Sequence, residues 1–296
     1  MQLELGRTSH RLWMMPVHQK TLRKCVADRG FTLVELLVVV AIIGLLISLL
    51  LFGLGRVRGT AQLTECMSNQ HQLQVGLVGW SQDNNGKFMS PSNDTPPEYN
   101  ANVYGPLNPR LFWVRNDGIN QTNGPRTETD SSGMRFETLQ ALEDGALWDY
   151  IGNHDTYRSP LDRSGRVRSY ALNGFISDLP DNPSDPDRTW GPVADRISLI
   201  KNPANTLYTI GEEDPGSGFN RGGFVLDIKG NRWKDIPSYW TDDGRFAVSF
   251  VDGSSRISTF KNVKLAECPL VDNEQDVTDC DRADFLQLAE WLDVTR

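Results

Sequence analysis

The longest apolar run in the sequence extends from Phe31 to Leu54 and contains a single ionisable side chain, Glu35. A helix over these residues rises by about 1.5 Å per residue and spans about 36 Å, more than a hydrocarbon core of about 30 Å. The run is also longer than the apolar region of a cleaved signal peptide. The pattern therefore predicts a transmembrane helix.

Beyond this segment the apolar positions thin to one stripe with alternating spacings of three and four residues. Its members are Leu63, Cys66, Gln70, Leu73, Leu77 and Trp80. Such spacing places the stripe on one face of a helix, and we interpret the face as core packing. The turn formers from Asp83 to Gly86 predict that this helix ends at about Gln82.

The downstream half of the chain contains strand-like runs at Thr206–Ile210, Phe224–Ile228, Phe246–Val251 and Ser255–Phe260. Asp252 and Gly253 lie between the last two runs and favour a two-residue hairpin, because both residues tolerate a positive φ. An antiparallel sheet needs a cover for its apolar face, and the helical stripe is the available cover. The sequence predicts an α+β fold in which a long N-terminal helix packs on an antiparallel β-sheet head.

The remaining segments predict smaller elements. Residues 135–151 indicate one or two short helices, and an amphipathic pattern around residues 281–292 indicates a C-terminal helix with Thr278 or Asp279 as its N-cap. We expect that helix to dock on the head, although a partner-binding role is an alternative. Polar stretches at Pro91–Pro109 and Asn116–Gly133 are expected to be loops.

Charge is distributed unevenly around the apolar run. The chain carries a net charge of -8, but its first 30 residues hold six Lys or Arg against two acids, which leaves -12 on the rest. An acidic body argues against nucleic acid as a partner. The cations that precede the run favour a cytoplasmic N-terminus and an extracytoplasmic head. They are Lys20, Arg23, Lys24 and Arg29, against Arg56 and Arg58 after the run.

Glu35 is costly in an apolar helix, by a few kcal/mol on insertion scales. No cation lies within the segment to neutralise it. Cleavage between Gly30 and Phe31 would create an α-amine four residues before Glu35. That amine could neutralise the carboxylate of the same chain or of a neighbouring copy.

The string from Arg29 to Leu36 resembles the processing site of type IV prepilins and type II secretion pseudopilins: a basic leader ending in Gly, then Phe, then Glu at the fifth position after the cut. The resemblance implies cleavage after Gly30 by a prepilin peptidase, N-methylation of Phe31 and recruitment of the next subunit by Glu35. It also implies a lollipop-shaped subunit without enzymatic activity. Its partners would be membrane lipid, other pilin or pseudopilin subunits, and the assembly platform of the pilus or secretion machine.

Later motifs extend the resemblance to a bacterial pilin-like class with a C-terminal signature of His, nine residues, then Asp-Gly. Ser159-Pro160-Leu161-Asp162 and Ser169–Gly174 are similar to its middle motif, with Ser159 where a Cys is common. Asp252-Gly253 fits the signature, but Asp242 occupies the position of the His. Many filament-forming pilins carry a proline in the lower helix, whereas residues 31–90 contain none.

These observations predict four segments. Residues 1–30 form a leader that is removed, 31–54 the transmembrane part of the helix, 55–83 its amphipathic part, and 84–296 an extracytoplasmic head. We expect a structural filament subunit, and the size of the head favours a minor or specialised one. The alternative is a single-pass tether that carries a binding or hydrolytic domain, although the sequence contains no Walker loop, dinucleotide fingerprint or zinc-protease motif.

Cysteines and acidic residues give two further expectations. Cys25 would leave with the leader, Cys66 would stay unpaired, and Cys268 and Cys280 are candidates for a disulfide in an extracytoplasmic head. The acidic stretch that includes Asp272, Glu274 and Asp276 offers hard oxygen ligands for calcium. It lacks the glycine of an EF-hand loop, so a solvated acidic loop is the alternative.

Overall fold

The structure is a computed structural model that describes residues 31–91, 112–115, 127–129, 135–176, 194–213, 222–261, 275–279 and 281–295. The chain divides into two compact units, Met1–Phe52 and Gly53–Arg296. The first helix, α1, runs from Leu33 to Asp83, one residue beyond the predicted end. Asn85 and Gly86 follow with positive φ angles of 59° and 77°, so the predicted turn formers terminate the helix as expected.

The head contains eleven strands and three helices among its described residues. The strands are β1 (Thr127–Thr129), β2 (Arg135–Glu137), β3 (Tyr170–Asn173), β4 (Leu207–Glu213), β5 (Gly223–Phe224), β6 (Leu226–Asp227), β7 (Arg232–Trp233), β8 (Ile236–Pro237), β9 (Arg245–Phe250), β10 (Ser255–Thr259) and β11 (Gln275–Asp276). The helices are α2 (Leu139–Glu143), α3 (Trp148–Ile151) and α4 (Arg282–Leu292). Short 3-10 helices lie at His154–Tyr157, Ile197–Leu199 and Pro203–Asn205.

The main sheet has six strands in the order β10-β9-β4-β3-β5, with β8 paired to β4. Every pair is antiparallel except β3 with β5. The predicted α+β fold with an antiparallel sheet is therefore confirmed, and the pairing of β3 with β5 adds one parallel pair to it. The predicted hairpin joins β9 to β10, but four residues, 251–254, connect the strands rather than the predicted two, and Gly253 adopts a φ of 102° among them.

Other expectations need correction. The run at Phe224–Ile228 forms two short strands, because β5 joins the main sheet and β6 pairs with β7. Residues 127–129, expected in a loop, form a strand with β2. The C-terminal helix begins after Asp281 rather than after Thr278 or Asp279. The Asp281 carboxylate accepts from the Thr278 amide at 2.7 Å and from the Trp233 indole at 3.1 Å, which fixes the start of α4.

The predicted stripe of α1 is buried at all of its positions, from Leu63 to Trp80. It covers one face of the main sheet, where the Gln70 amide donates to the Ala247 carbonyl at 2.7 Å and accepts from Thr209 at 2.9 Å. Helix α4 covers the opposite face through Trp291, which contacts Phe250 edge-on at 5.5 Å. The sheet is thus enclosed between two helices, as burial of both apolar faces requires.

A close approach of α3 to α1 depends on a glycine. A Cβ placed on Gly76 would lie 2.7 Å from the Ile151 side chain and 3.0 Å from that of Leu147. Because real Cβ atoms do not approach so closely, a larger residue there would require the ends of the Ile151 and Leu147 side chains to shift. Glycine at position 76 thus leaves room for these two side chains against α1.

The middle motif folds back onto α1. Cys66 is buried and unpaired, as expected, and its Sγ lies 2.9 Å from Ser159 Oγ. Burial raises the pKa of the Cys66 thiol, and the hydrogen bond between Cys66 and Ser159 offsets part of that rise. The two parts of the motif meet at Asp162, whose carboxylate accepts from Ser169 Oγ at 2.6 Å and from Arg166 at 3.0 Å.

We predict that Ser159→Cys forms a disulfide with Cys66, because the two side-chain atoms already lie within hydrogen-bond distance and the geometry requires only a small closure. The loop of 93 residues would contribute up to about 4 kcal/mol through the unfolded state. Non-reducing peptide mapping and thermal unfolding of the detergent-solubilised chain measure the bond and its effect. Ser159→Ala is the control, and a variant that keeps both thiols after oxidation would contradict the prediction.

We also predict that Asp162→Asn destabilises the head by about 1–3 kcal/mol. Burial alone would raise the pKa of Asp162, but Arg166 and the bonds from Ser164 and Ser169 outweigh it and lower the pKa. A carboxyl group whose pKa is lowered by folding adds stability at pH values above its unfolded pKa of about 3.9. That stability is lost as the pH falls through the folded pKa. Urea unfolding between pH 3 and 7 should therefore show that the free energy of unfolding falls less steeply with decreasing pH in Asp162→Asn than in wild type. An equal pH dependence in the two proteins would contradict this prediction. The control is Arg163→Gln, a substitution at an exposed neighbouring residue.

Candidate processing and assembly site

The start of α1 is closed by a reciprocal pair of hydrogen bonds between Thr32 and Glu35. The Glu35 amide donates to Thr32 Oγ1 at 3.2 Å, and the Thr32 amide donates to Glu35 Oε2 at 2.9 Å. The Thr32 hydroxyl donates to the same oxygen at 2.9 Å. This arrangement is a capping box, in which an N-terminal Thr and a Glu three residues later satisfy two amides that the helix leaves unpaired.

The capping box leaves part of the Glu35 carboxylate available. Its hydrogen bonds to the described residues all use Oε2, and no cation of the described residues forms an ion pair with it. The carboxylate thus leaves one oxygen, Oε1, for a further partner. Phe31, immediately before the cap, exposes 69% of its surface.

The helix that follows this cap is apolar on every side. Within the described residues, Leu33–Leu51 is the single helical stretch long and apolar enough to cross a membrane, and none of it is buried in the protein. A core helix of a soluble protein would be mostly buried, so the exposure of all faces indicates a helix surrounded by lipid or by other apolar helices. Glu35 therefore lies in the first turn of this apolar helix.

Comparisons with known proteins agree with this geometry. Residues 26–51 match the family described as the prokaryotic N-terminal methylation motif. A probable minor fimbrial protein from Dichelobacter nodosus is 30% identical over 115 residues, which cover 38% of this chain and 72% of the relative. This chain belongs to the type IV pilin-like proteins. No solved structure matches it.

As in other pilin-like proteins, the apolar helix and an α+β region form the two parts of the described chain, and the N-terminal segment suggests membrane anchoring. The family is structural rather than enzymatic. The described residues include no group of three or more His, Cys, Asp or Glu placed to hold a metal ion.

Several residues singled out by the sequence lie outside the described part of this pilin-like chain. They are Gly30, Cys25, Cys268, Cys280, Asp272 and Glu274. The cleavage position, the disulfide and the calcium loop therefore stay predictions. Asp276 is described: it is exposed on β11, and its carboxylate lies 3.4 Å from the Arg232 guanidinium.

One functional feature of the pilin-like N-terminus was missed from the sequence, namely the role of Thr32. A Thr followed three residues later by Glu, directly before an apolar run, is the signature of a capping box. The pattern Thr32-Leu33-Val34-Glu35 contains that signal in full. Glu35 thus has a local structural role in addition to any intermolecular one.

We predict that Thr32→Ala loosens the first turn of α1 by about 1 kcal/mol, because the cap to the Glu35 amide is lost. Hydrogen exchange of that amide in detergent micelles should become several-fold faster. Thr32→Ser retains the hydroxyl and should exchange like wild type. Unchanged protection of the Glu35 amide in Thr32→Ala would contradict the cap.

Proposed function

We propose that this protein is a subunit of a type IV pilus-like or type II secretion pseudopilus filament. The observation that carries the proposal is the Glu35 carboxylate, capped by Thr32 one turn inside an apolar helix that directly follows Arg29-Gly30-Phe31. Prepilin peptidase cleaves between Gly30 and Phe31, and the new amine of Phe31 is N-methylated. A methylated amine remains cationic at neutral pH, so it retains its attraction for a carboxylate.

The assembly step follows from electrostatics. An unpaired carboxylate in lipid costs a few kcal/mol, whereas an amine in contact with it is attracted strongly at low dielectric. Thr32 holds Glu35 Oε2 along the helix and leaves Oε1 for the Phe31 amine of a neighbouring subunit. Four residues separate Phe31 from Glu35, so this pairing displaces neighbouring helices by about 6 Å along their axes.

The proposal also fixes the topology. The cations before α1 keep the N-terminus cytoplasmic, residues 1–30 are removed as the leader, and residues 31–54 remain in the membrane. Residues 55–83 and the head, 84–296, lie outside the cytoplasm. The subunit is drawn from the membrane by the assembly platform, and its partners are prepilin peptidase and other pilin or pseudopilin subunits. The likeness to a minor fimbrial protein supports this assignment.

The first test is intact N-terminal mass spectrometry of the protein from its native membrane and from a sheared surface fraction. We expect a chain that begins at methylated Phe31 in the membrane, and the same chain in the sheared fraction if the filament reaches the surface. A mature protein that still begins at Met1, or is cut elsewhere, would overturn the proposal. The apolar helix would then be a tether for a binding or hydrolytic head.

The second test separates the two roles of Glu35. Glu35→Ala and Glu35→Val remove both the cap and the charge, whereas Glu35→Gln keeps a residue that closes a capping box and removes only the charge. We expect all three variants to insert into the membrane and be processed, yet to disappear from the filament fraction, because the ionic partner of Phe31 is lost.

The matched control for these variants is Thr32→Ala, which weakens the cap but keeps the carboxylate. It should retain more incorporation than Glu35→Gln. Normal incorporation of Glu35→Gln would show that charge is not needed at this position and would contradict the assembly role.

A further inference from the structure

The exposed face of α1 beyond the membrane segment is unusually poor in charge for so acidic a protein. Between Val57 and Gln82 the sequence contains two charged residues, Arg58 and Glu65. Both are exposed, and neither forms a hydrogen bond or an ion pair with a described residue. They are therefore an opposite-charge pair without partners within the described part of their own subunit.

Arg58 and Glu65 are separated by seven residues, which is about 20° short of two full helical turns. They therefore project from α1 in nearly the same direction and lie about 10.5 Å apart along its axis. At that distance their side chains do not make a close contact with each other. A second helix shifted by one heptad would bring its own Arg58 level with Glu65.

The surface beside the two charges permits such a helix to approach closely. Exposed positions on the adjoining flank, about 50–110° around the helix from the two charges, carry small or β-branched uncharged side chains at spacings of three, four and seven residues. They are Val57, Ala61, Thr64, Ser68 and Val75. Val57 and Val75 are 69% and 59% exposed, and small side chains at a helix interface allow backbones to approach one another.

We propose that this face contacts α1 of a second copy of this chain, and that Arg58 of one copy pairs with Glu65 of the other. The inference rests on the proposed filament, in which helices of like orientation pack around a common axis. Residues that share one azimuth then point together toward that axis. Both charges needed for the contact are present on one chain, so a second copy complements the first.

The contact also selects a stagger. With no displacement, Arg58 faces Arg58 and Glu65 faces Glu65, and both juxtapositions repel. A displacement of one heptad pairs opposite charges instead. The direction of this displacement matches the one that pairs Glu35 with the Phe31 amine. In both pairs, the residue with the lower number belongs to the neighbouring chain and the residue with the higher number belongs to the first chain. The two displacements, about 10.5 Å and about 6 Å, differ by less than the length of an arginine side chain.

Cysteine cross-linking in the native membrane and filament fractions tests the contact. Two differently tagged copies of the full chain, one with Arg58→Cys and one with Glu65→Cys, are co-produced in a Cys66→Ser background to remove the neighbouring thiol. The control pair is Arg58→Cys with Gln72→Cys. These two positions are two heptads apart in the sequence, about 21 Å along the helix axis when the helices are not displaced. We expect the mixed disulfide dimer of Arg58→Cys with Glu65→Cys at about ten times the yield of this control pair. Equal yields for the two pairs would overturn the inference.

Charge reversal provides an independent measurement on the unmodified cysteines. Arg58→Glu or Glu65→Arg alone should reduce incorporation into filaments by up to about fivefold, as expected for loss of an exposed ion pair and its replacement by repulsion. The double variant Arg58→Glu with Glu65→Arg should restore incorporation. A double variant that is as defective as the singles would overturn the pairing.

The two proposals fail in different ways. If wild-type protein is absent from processed filaments, the proposed function fails and the cross-link is not expected. If wild-type filaments form and depend on Glu35, but the heptad-staggered cross-link does not exceed its control, the inference about Arg58 and Glu65 fails alone. The neighbour of α1 would then be a different subunit or a different face of this one.

Discussion

The proposed assembly depends on one electrostatic constraint, a carboxylate held in the first turn of a helix that is apolar on all sides. Glu35 cannot lose this cost by burial in its own head, because none of the segment Leu33–Leu51 is buried. The capping box gives one carboxylate oxygen of Glu35 two donors, the amide and the hydroxyl of Thr32, but it does not supply a positive charge. In the proposed filament, the amine of the processed N-terminus supplies this counter-charge and thereby couples proteolysis to assembly.

Helix α1 meets this constraint at one end and organises the head at the other. Along Leu63–Trp80 its buried face combines apolar contacts with two glutamines that donate to carbonyl oxygens of β9, Gln70 to Ala247 and Gln74 to Phe250. Apolar packing is tolerant of small shifts, whereas buried hydrogen bonds fix a register because a slip leaves polar groups unpaired. The polar contacts therefore determine which residues of α1 meet which strand.

Much of this architecture followed from periodicity. The spacing from Leu63 to Trp80 predicted the buried face, because a long helix against a sheet is governed by the 3.6-residue repeat. The Asp252-Gly253 turn was equally readable, since its chemistry is local. Gln70 fitted the stripe by position, but nothing in the sequence showed that its amide meets Thr209 and Ala247, because those contacts join residues far apart in the chain.

The elements that escaped prediction are those decided by tertiary contacts. The parallel pairing of β3 with the two-residue strand β5 has no local signal, and Asp281 begins α4 because its carboxylate is held by Trp233, 48 residues earlier. At the candidate site, Glu35 was identifiable because an acid is rare in an apolar run, whereas Thr32 was overlooked because threonine is unremarkable beside an apolar segment. The hydroxyl and the amide of Thr32 hold the Glu35 carboxylate against the first turn of α1. In the proposed filament, Glu35 therefore presents its charge from an ordered first turn, so less side-chain freedom is lost when the neighbouring amine binds.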